Sequence, residues 1–398
     1  MKDILLIAHF CSDFDGKGNN RFNYIADLLA ENNLRVELVT SDFSHAKKEK
    51  RLAVNNNYKY KVTFVSEPVY KKNVSLKRFY SHYIMGKNLK KYLSKRKKPN
   101  IIYCAVPSLD VAYVAANYAR KNNIKFIIDI QDLWPEAFKM VFNPPVIGNM
   151  IYSPMYKKAD YIYGAADEII AVSQTYMERA LKVNKKCKTG KSIFIGTELS
   201  VFDGYAQKNK VAKPDNEIWL AYIGTLGHSY DLTCVIDALT ILKEKDVQSL
   251  KFIIMGDGPL EEQFKKYAQE KDIYCEFTGR LDYSSMVGLL ISCDIAVNPI
   301  ARGAAQSIIN KHADYSVAGL PLLNTQECLE YRKLIDDHQA GFNCENNNAE
   351  SLAEKLLILY KDKNLRLEMG RNHRKLAEEK FDRTHSYNAI VEILEKYK

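Results

Sequence analysis

The chain has 398 residues, 46% of them hydrophobic, which is enough to bury a substantial core in about two domains. No uncharged apolar run approaches the roughly 20 residues that span a bilayer, and MKDILLIAHF at the start turns polar too soon for a secretory signal. The net charge of +10 is uneven: between Lys47 and Lys98, 17 Lys and Arg meet only Glu49 and Glu67, so this segment carries +15 and the rest −5. A patch of that kind attracts an anionic membrane surface or a nucleic acid. Eight cysteines are scattered without CxxC or His/Cys metal spacing, as expected for reduced thiols in a cytosolic protein without a structural metal.

In chain order, short apolar runs alternate with amphipathic, helix-length segments. ILLIAHF (4–10), RVELVT (35–40), KVTFVS (61–66), NIIYCAV (100–106), KFIIDI (125–130), EIIAVS (168–173) and KSIFIG (191–196) read as strands. RFNYIADLLAENN (21–33) and LDVAYVAANYARKNN (109–123) between them read as helices. The pattern restarts after the polar stretch 204–217, with strands at IWLAYIG (218–224), KFIIMG (251–256), CEFTG (275–279), DIAVNPI (294–300) and LPLLNT (320–325). Such alternation predicts an α/β chain of two doubly wound parallel-sheet domains, 1–203 and 204–384, with 385–398 free to pack back on the first. Ligands of these sheets bind at the carboxyl ends of the strands, so two such edges facing each other would make an interdomain cleft.

Glycines follow several strand ends. Gly16 and Gly18 lie in CSDFDGKGNNRF (11–22), just before a helix starting near Arg21. In the second half Gly224 and Gly227, then Gly256 and Gly258, occupy equivalent turns, and Arg280 lies just beyond another strand. Neither GxGxxG nor a P-loop is present, which sets aside simple dehydrogenases and kinases. The segment PIARGAAQSIINKHADYS (299–316) carries a loop of small residues, Ser307 among them, into a helix opened by Asn310 and Lys311. An amide, an ammonium group and a helix start suit a diphosphate. Asp314, one turn on, suits the hydroxyls of a ribose, while His312 is expected to cap or pack.

DGKGNNR (15–21), SDFSHAKK (41–48), DIQDLWPEAF (129–138), YIGTLGHSYDL (222–232), MGDGPLEEQF (255–264) and NKHADYSVAGLPLL (310–323), in this order, resemble the retaining GT-B glycosyltransferases of glycosyltransferase family 4, in particular the branch building bacterial capsule and O-antigen polysaccharides. The resemblance implies a nucleotide-sugar donor on the C-terminal domain, an acceptor on the N-terminal domain, and catalysis between them without a metal. It implies that Asp314 stands at the second Glu of a Glu–seven residues–Glu motif and Gln306 at the first, so the pair is changed to Gln and Asp. Thr225 and Ser229 fall where many members keep a diphosphate-clamping Arg and Lys, leaving the cationic work to Lys311 and Arg280. Asp132, beside Gln131 and followed by Trp134, Pro135 and Glu136, replaces a cleft histidine. The catalytic set so implied is Asp132, Gln306 and Lys311, with Gly16, Gly18, Asn20, Arg21 and Glu136 on the acceptor side.

The expected function is therefore a retaining, metal-independent hexosyltransferase moving sugar from a UDP-sugar to a polyprenyl-diphosphate-linked acceptor. It would lie on the inner face of the plasma membrane through residues 47–98, where Lys and Arg mix with Tyr, Phe, Leu, Ile and Met, and no nucleic-acid motif is present. The alternatives are a nucleotide-sugar 2-epimerase of the same fold and a non-catalytic glycosyltransferase subunit.

Overall fold

The computed structural model describes residues 2–14, 21–51, 58–73, 75–141, 148–304, 308 and 310–397, without the side chains of 140, 141, 148, 149 and 310. The chain forms two compact units, Met1–Phe194 with Tyr387–Lys398, and Ile195–Ser386.

In the first unit the strands are β1 (Asp3–Ile7), β2 (Arg35–Ser41), a small hairpin β3 (Phe43–Ser44) with β4 (Glu49–Lys50), β5 (Lys61–Val65), β6 (Ile101–Val106), β7 (Lys125–Ile130), β8 (Glu168–Ala171) and β9 (Lys191–Ser192). Seven of them make a parallel sheet in the order β5-β2-β1-β6-β7-β8-β9. The helices are α1 (Arg21–Glu31), α2 (Leu76–Lys95), α3 (Leu109–Asn122), α4 (Glu136–Val141), α5 (Gly148–Ala165) and α6 (Gln174–Leu181). β1, with the sequence DILLI, is buried throughout because both sheet faces are covered. Leu5 and Ile7 face a core shared with α2, α3 and α5, while Ile4 and Leu6 face α1 and the C-terminal residues from Tyr387 onward.

The second unit holds β10 (Ile218–Ile223), β11 (Leu250–Met255), β12 (Cys275–Gly279), β13 (Ile295–Asn298), β14 (Leu322–Asn324) and β15 (Gly341–Asn343), in the parallel order β12-β11-β10-β13-β14-β15. Its helices are α7 (Leu199–Asn209), α8 (Leu232–Lys243), α9 (Glu261–Glu270), α10 (Tyr283–Leu290), α11 (Asn310–Val317), α12 (Leu329–Asp337), α13 (Ala349–Lys361), α14 (Lys363–Leu376) and α15 (Arg383–Ser386), with α16 (Asn388–Glu395) belonging to the first unit. α8 and α13 cover one face through residues such as Val235, Leu239, Leu356 and Leu359.

The sequence reading divides the chain after residue 203, whereas the units divide after Phe194. The reason is α7. It lies so close on α10 that a Cβ added at Gly288 would stand 2.0 Å from the Asn209 carbonyl oxygen, which commits residues 199–209 to the second unit.

Candidate functional site

In the second unit the predicted turns converge at the carboxyl ends of β10, β11 and β12. The Gly224 amide donates to the Met255 carbonyl at 2.8 Å, and the Gly256 amide donates to Gly279 at 2.9 Å. Gly256 has a φ of +151°, and a Cβ there would stand 1.9 Å from the Gly224 carbonyl oxygen. This glycine therefore serves strand-end packing, and its amide is already used. Leu226 N–H donates to Asp257 at 2.8 Å, tying the turn of Gly227 to that of Gly258. The amides of exposed Thr225 and of Gly227 take part in none of these bonds. Arg280 is exposed just beyond β12.

Lys311, in the first turn of α11, lies directly beneath Gly224, where an added Cβ would stand 2.1 Å from its Nζ. Gly224 has a φ of +131°, so the backbone disfavours a side chain there, and one would displace the end of this lysine. The ammonium sits 4.3 Å from the centroid of the Tyr222 ring and 3.6 Å from that of Tyr230, and it donates to the Tyr222 hydroxyl at 3.0 Å. Among the described residues no carboxylate pairs with it, and burial holds its pKa well below the ordinary lysine value. A lysine amine kept in an aromatic cage beside a strand-end turn is placed to meet an anion, whose charge favours its protonated form.

The rest of α11 is packed rather than open. Ile223 N–H donates to the Tyr315 hydroxyl at 2.9 Å, fixing α11 to β10. His312 is buried with its ring stacked 3.5 Å from that of Tyr331, which meets the expectation of a packing role. Asp314 accepts from the Tyr283 hydroxyl at 2.8 Å, and burial pushes its pKa up to about 6. Gln306 and Ser307 lie outside the described residues, as does the side chain of Asn310.

In the first unit, Gly16, Gly18 and Asn20 also lie outside the described residues. Arg21 does not reach for a ligand. Its guanidinium makes a buried fork to Asp129 at 3.0 and 3.2 Å and donates to the Tyr387 hydroxyl at 2.8 Å, joining α1, β7 and the C-terminal segment. Asp132 accepts from Leu133 N–H at 2.9 Å and from the Trp134 indole at 3.1 Å, so it shapes its own turn, and burial raises its pKa. Glu136 pairs with Arg179 at 2.7 Å.

Sequence reasoning missed a polar cluster between β1 and β6, where the strand order of the sheet reverses. His9, just past β1, bonds to Ser108 at 2.7 Å and to Glu67 at 2.8 Å, and Glu67 also accepts from Ser41 at 2.9 Å. The available signal was the placement of polar residues one or two positions beyond apolar strands, at His9, Glu67 and Ser108.

Residues 205–376 match the family model described as Glycosyl transferases group 1. The chain has the GT-B fold. It resembles HepE from Anabaena, solved with UDP, at 14% identity with all of both chains covered and a TM-score of 0.72. Sucrose-phosphate synthase from Thermosynechococcus elongatus is similar at 16% identity, a TM-score of 0.75, and 100% and 99% coverage of this chain and that one. WaaG, a glycosyltransferase involved in lipopolysaccharide biosynthesis, is similar at 15% identity over 97% and 98%, with a TM-score of 0.67. No curated protein matches the sequence. The group 1 match spans the turns of Gly224 and Gly256, Lys311 and Asp314. Among the described residues of this GT-B chain, no three His, Cys, Asp or Glu side chains converge as metal ligands, and no helix is long and apolar enough to cross a membrane.

Proposed function

We propose that the protein is a retaining glycosyltransferase that moves a hexosyl group from a UDP-sugar to a lipid-linked saccharide during bacterial surface-polysaccharide assembly. The observation that carries the reading is Lys311, a half-buried lysine with no carboxylate partner among the described residues, held beneath Gly224 inside the group 1 match. Similar structures support the choice of donor, since HepE was solved with UDP and with UDP-glucose.

The chemistry follows from where charge develops. As the glycosidic bond to the diphosphate breaks, negative charge grows on phosphate oxygens, and Lys311 donates to them together with the amides of Thr225 and Gly227. The departing diphosphate takes the proton of the acceptor hydroxyl on the same face, so configuration is retained and neither a protein nucleophile nor a metal ion is required. Asp314 orients the nucleoside by accepting from ribose hydroxyls.

Docking at a membrane is supported by α2, whose first half exposes Leu76 (87%), Tyr80 (59%) and Tyr83 (53%) beside Lys77, while its second half exposes Lys87, Lys90 and Lys91. That mixture of apolar and basic side chains suits the headgroup boundary of an anionic bilayer.

The test is turnover of UDP-glucose, UDP-galactose and UDP-N-acetylglucosamine with a prenyl-diphosphate-linked sugar, the product anomer being read by NMR. An α-linked product from an α-donor is expected. A β-linked product defeats the retaining mechanism, epimerised donor formed without acceptor supports the 2-epimerase, and no turnover with any donor supports a non-catalytic subunit.

A further inference from the structure

The carboxyl edge of the first unit's sheet holds more nitrogen bases than its carboxylates can satisfy. His9 and His82 meet edge to face at 4.9 Å, Phe10 lies 4.8 Å from His45, and His82 stacks on Trp134 at 5.7 Å. The Arg78 guanidinium lies 5.0 Å from the Trp134 ring centroid and 5.7 Å from that of Phe10, while the Lys48 ammonium lies 4.9 Å from that of Tyr70. Tyr70 in turn bonds to His45.

Among the described residues two carboxylates face this group, and both are engaged. Glu67 accepts from His9 and Ser41, and Asp132 accepts from Leu133 and Trp134. Among the described residues two nitrogens have no partner: Nε2 of His82, a residue 1% exposed, and the buried Nε of Arg78, whose guanidinium donates through Nη1 to the Asn73 carbonyl at 2.9 Å. A buried polar atom without a partner calls for an explanation, and an anion entering this cluster supplies one for both. The cluster is also electrostatically one-sided: burial, then Lys48 and Arg78, hold His45 down to about 3, and burial lowers the Arg78 guanidinium as well. It lies beside the reversal in strand order that His9 and Ser108 bridge, the place where doubly wound sheets take ligands.

We infer that His82 and Arg78, with His45 and Lys48 beside them, bind an oxyanion carried by the acceptor, a phosphate or a carboxylate. The inference rests on the reading above only in assigning that anion to the acceptor. Two sources share the chemistry, the diphosphate of a lipid carrier and the carboxylate of an acidic sugar.

The experiment titrates the full-length protein, saturated with UDP to occupy the donor side, with farnesyl diphosphate, with glucuronic acid and with glucose. Farnesyl diphosphate or glucuronic acid is expected to bind and glucose to bind far more weakly, the tighter of the two anions naming the source. Arg78→Gln is expected to weaken the anion about tenfold, the scale of one charge-assisted hydrogen bond, with affinity restored in part by Arg78→Lys and UDP binding unchanged. His82→Gln serves as a second probe. Equal binding of glucose and the anions, or anion affinity indifferent to both Arg78→Gln and His82→Gln, overturns the inference. Loss of UDP binding with anion binding intact would instead count against the glycosyltransferase reading alone.

Discussion

Asp314 shows what burial does to a carboxylate with one hydroxyl for a partner. Its pKa rises from 3.8 to about 6. Between those values the folded chain keeps a proton that the unfolded chain has released, so this group's contribution to stability is lost as pH rises through about 6 and the charge is carried at a cost at neutral pH. Asp314→Asn is therefore expected to melt higher than wild type at pH 7, with the gain fading toward pH 4, and thermal unfolding across that range checks it. A gain independent of pH would show that charge burial is not the cause. At this scale the sequence was only partly legible. Lys311 and Asp314 could be picked out as chemistry on one helix, but the tyrosine cage of Lys311 comes from Tyr222 and Tyr230 on a distant strand and turn. His9 meets Glu67 and Ser108 across separations of 58 and 99 residues, and no local pattern announces such a network. Arg21 read as a ligand-facing cation because its partner Asp129 lies 108 residues away.

Elements were far more legible than sites. Central strands such as ILLIAHF and NIIYCAV read clearly because a parallel strand covered on both faces is apolar without alternation. KSIFIG, read as a strand over 191–196, pairs only at Lys191–Ser192, since it is the sheet edge and the chain leaves for the second unit at Ile195. The basic segment likewise divides once its partners are known. Arg51 is tied to Asp13, Lys61 to Glu37, and Arg96 to Asp3 and Glu37, while the exposed lysines of α2 and those flanking it, Lys71, Lys72, Lys97 and Lys98, carry surface charge. If α2 docks on lipid, the protein will co-sediment with vesicles of phosphatidylglycerol and phosphatidylethanolamine. The paired change Leu76→Ser with Tyr80→Ser is expected to cut binding about tenfold or more, since each apolar side chain contributes roughly 1.5–3 kcal/mol when buried. Binding of the altered protein equal to wild type would remove α2 as the contact.

For the whole molecule, the restart of the strand–helix pattern foretold two doubly wound units, and each has its own polar cluster at a carboxyl edge. In the first unit that cluster includes two buried nitrogens without acceptors among the described residues, and in the second it centres on one caged lysine. The proposed division of labour depends on the second unit gripping a nucleoside diphosphate through Lys311, and calorimetric titration of UDP into wild type and Lys311→Met over a range of pH addresses that directly. Burial holds Lys311 well below 10.5, and a neighbouring diphosphate favours its charged form. Wild type is thus predicted to take up protons on binding UDP, with affinity falling as pH rises above the unliganded pKa. Lys311→Met is predicted to bind about 10- to 100-fold more weakly, without that uptake. Equal affinity and equal proton uptake in the two proteins, or no binding of UDP to wild type, would contradict it.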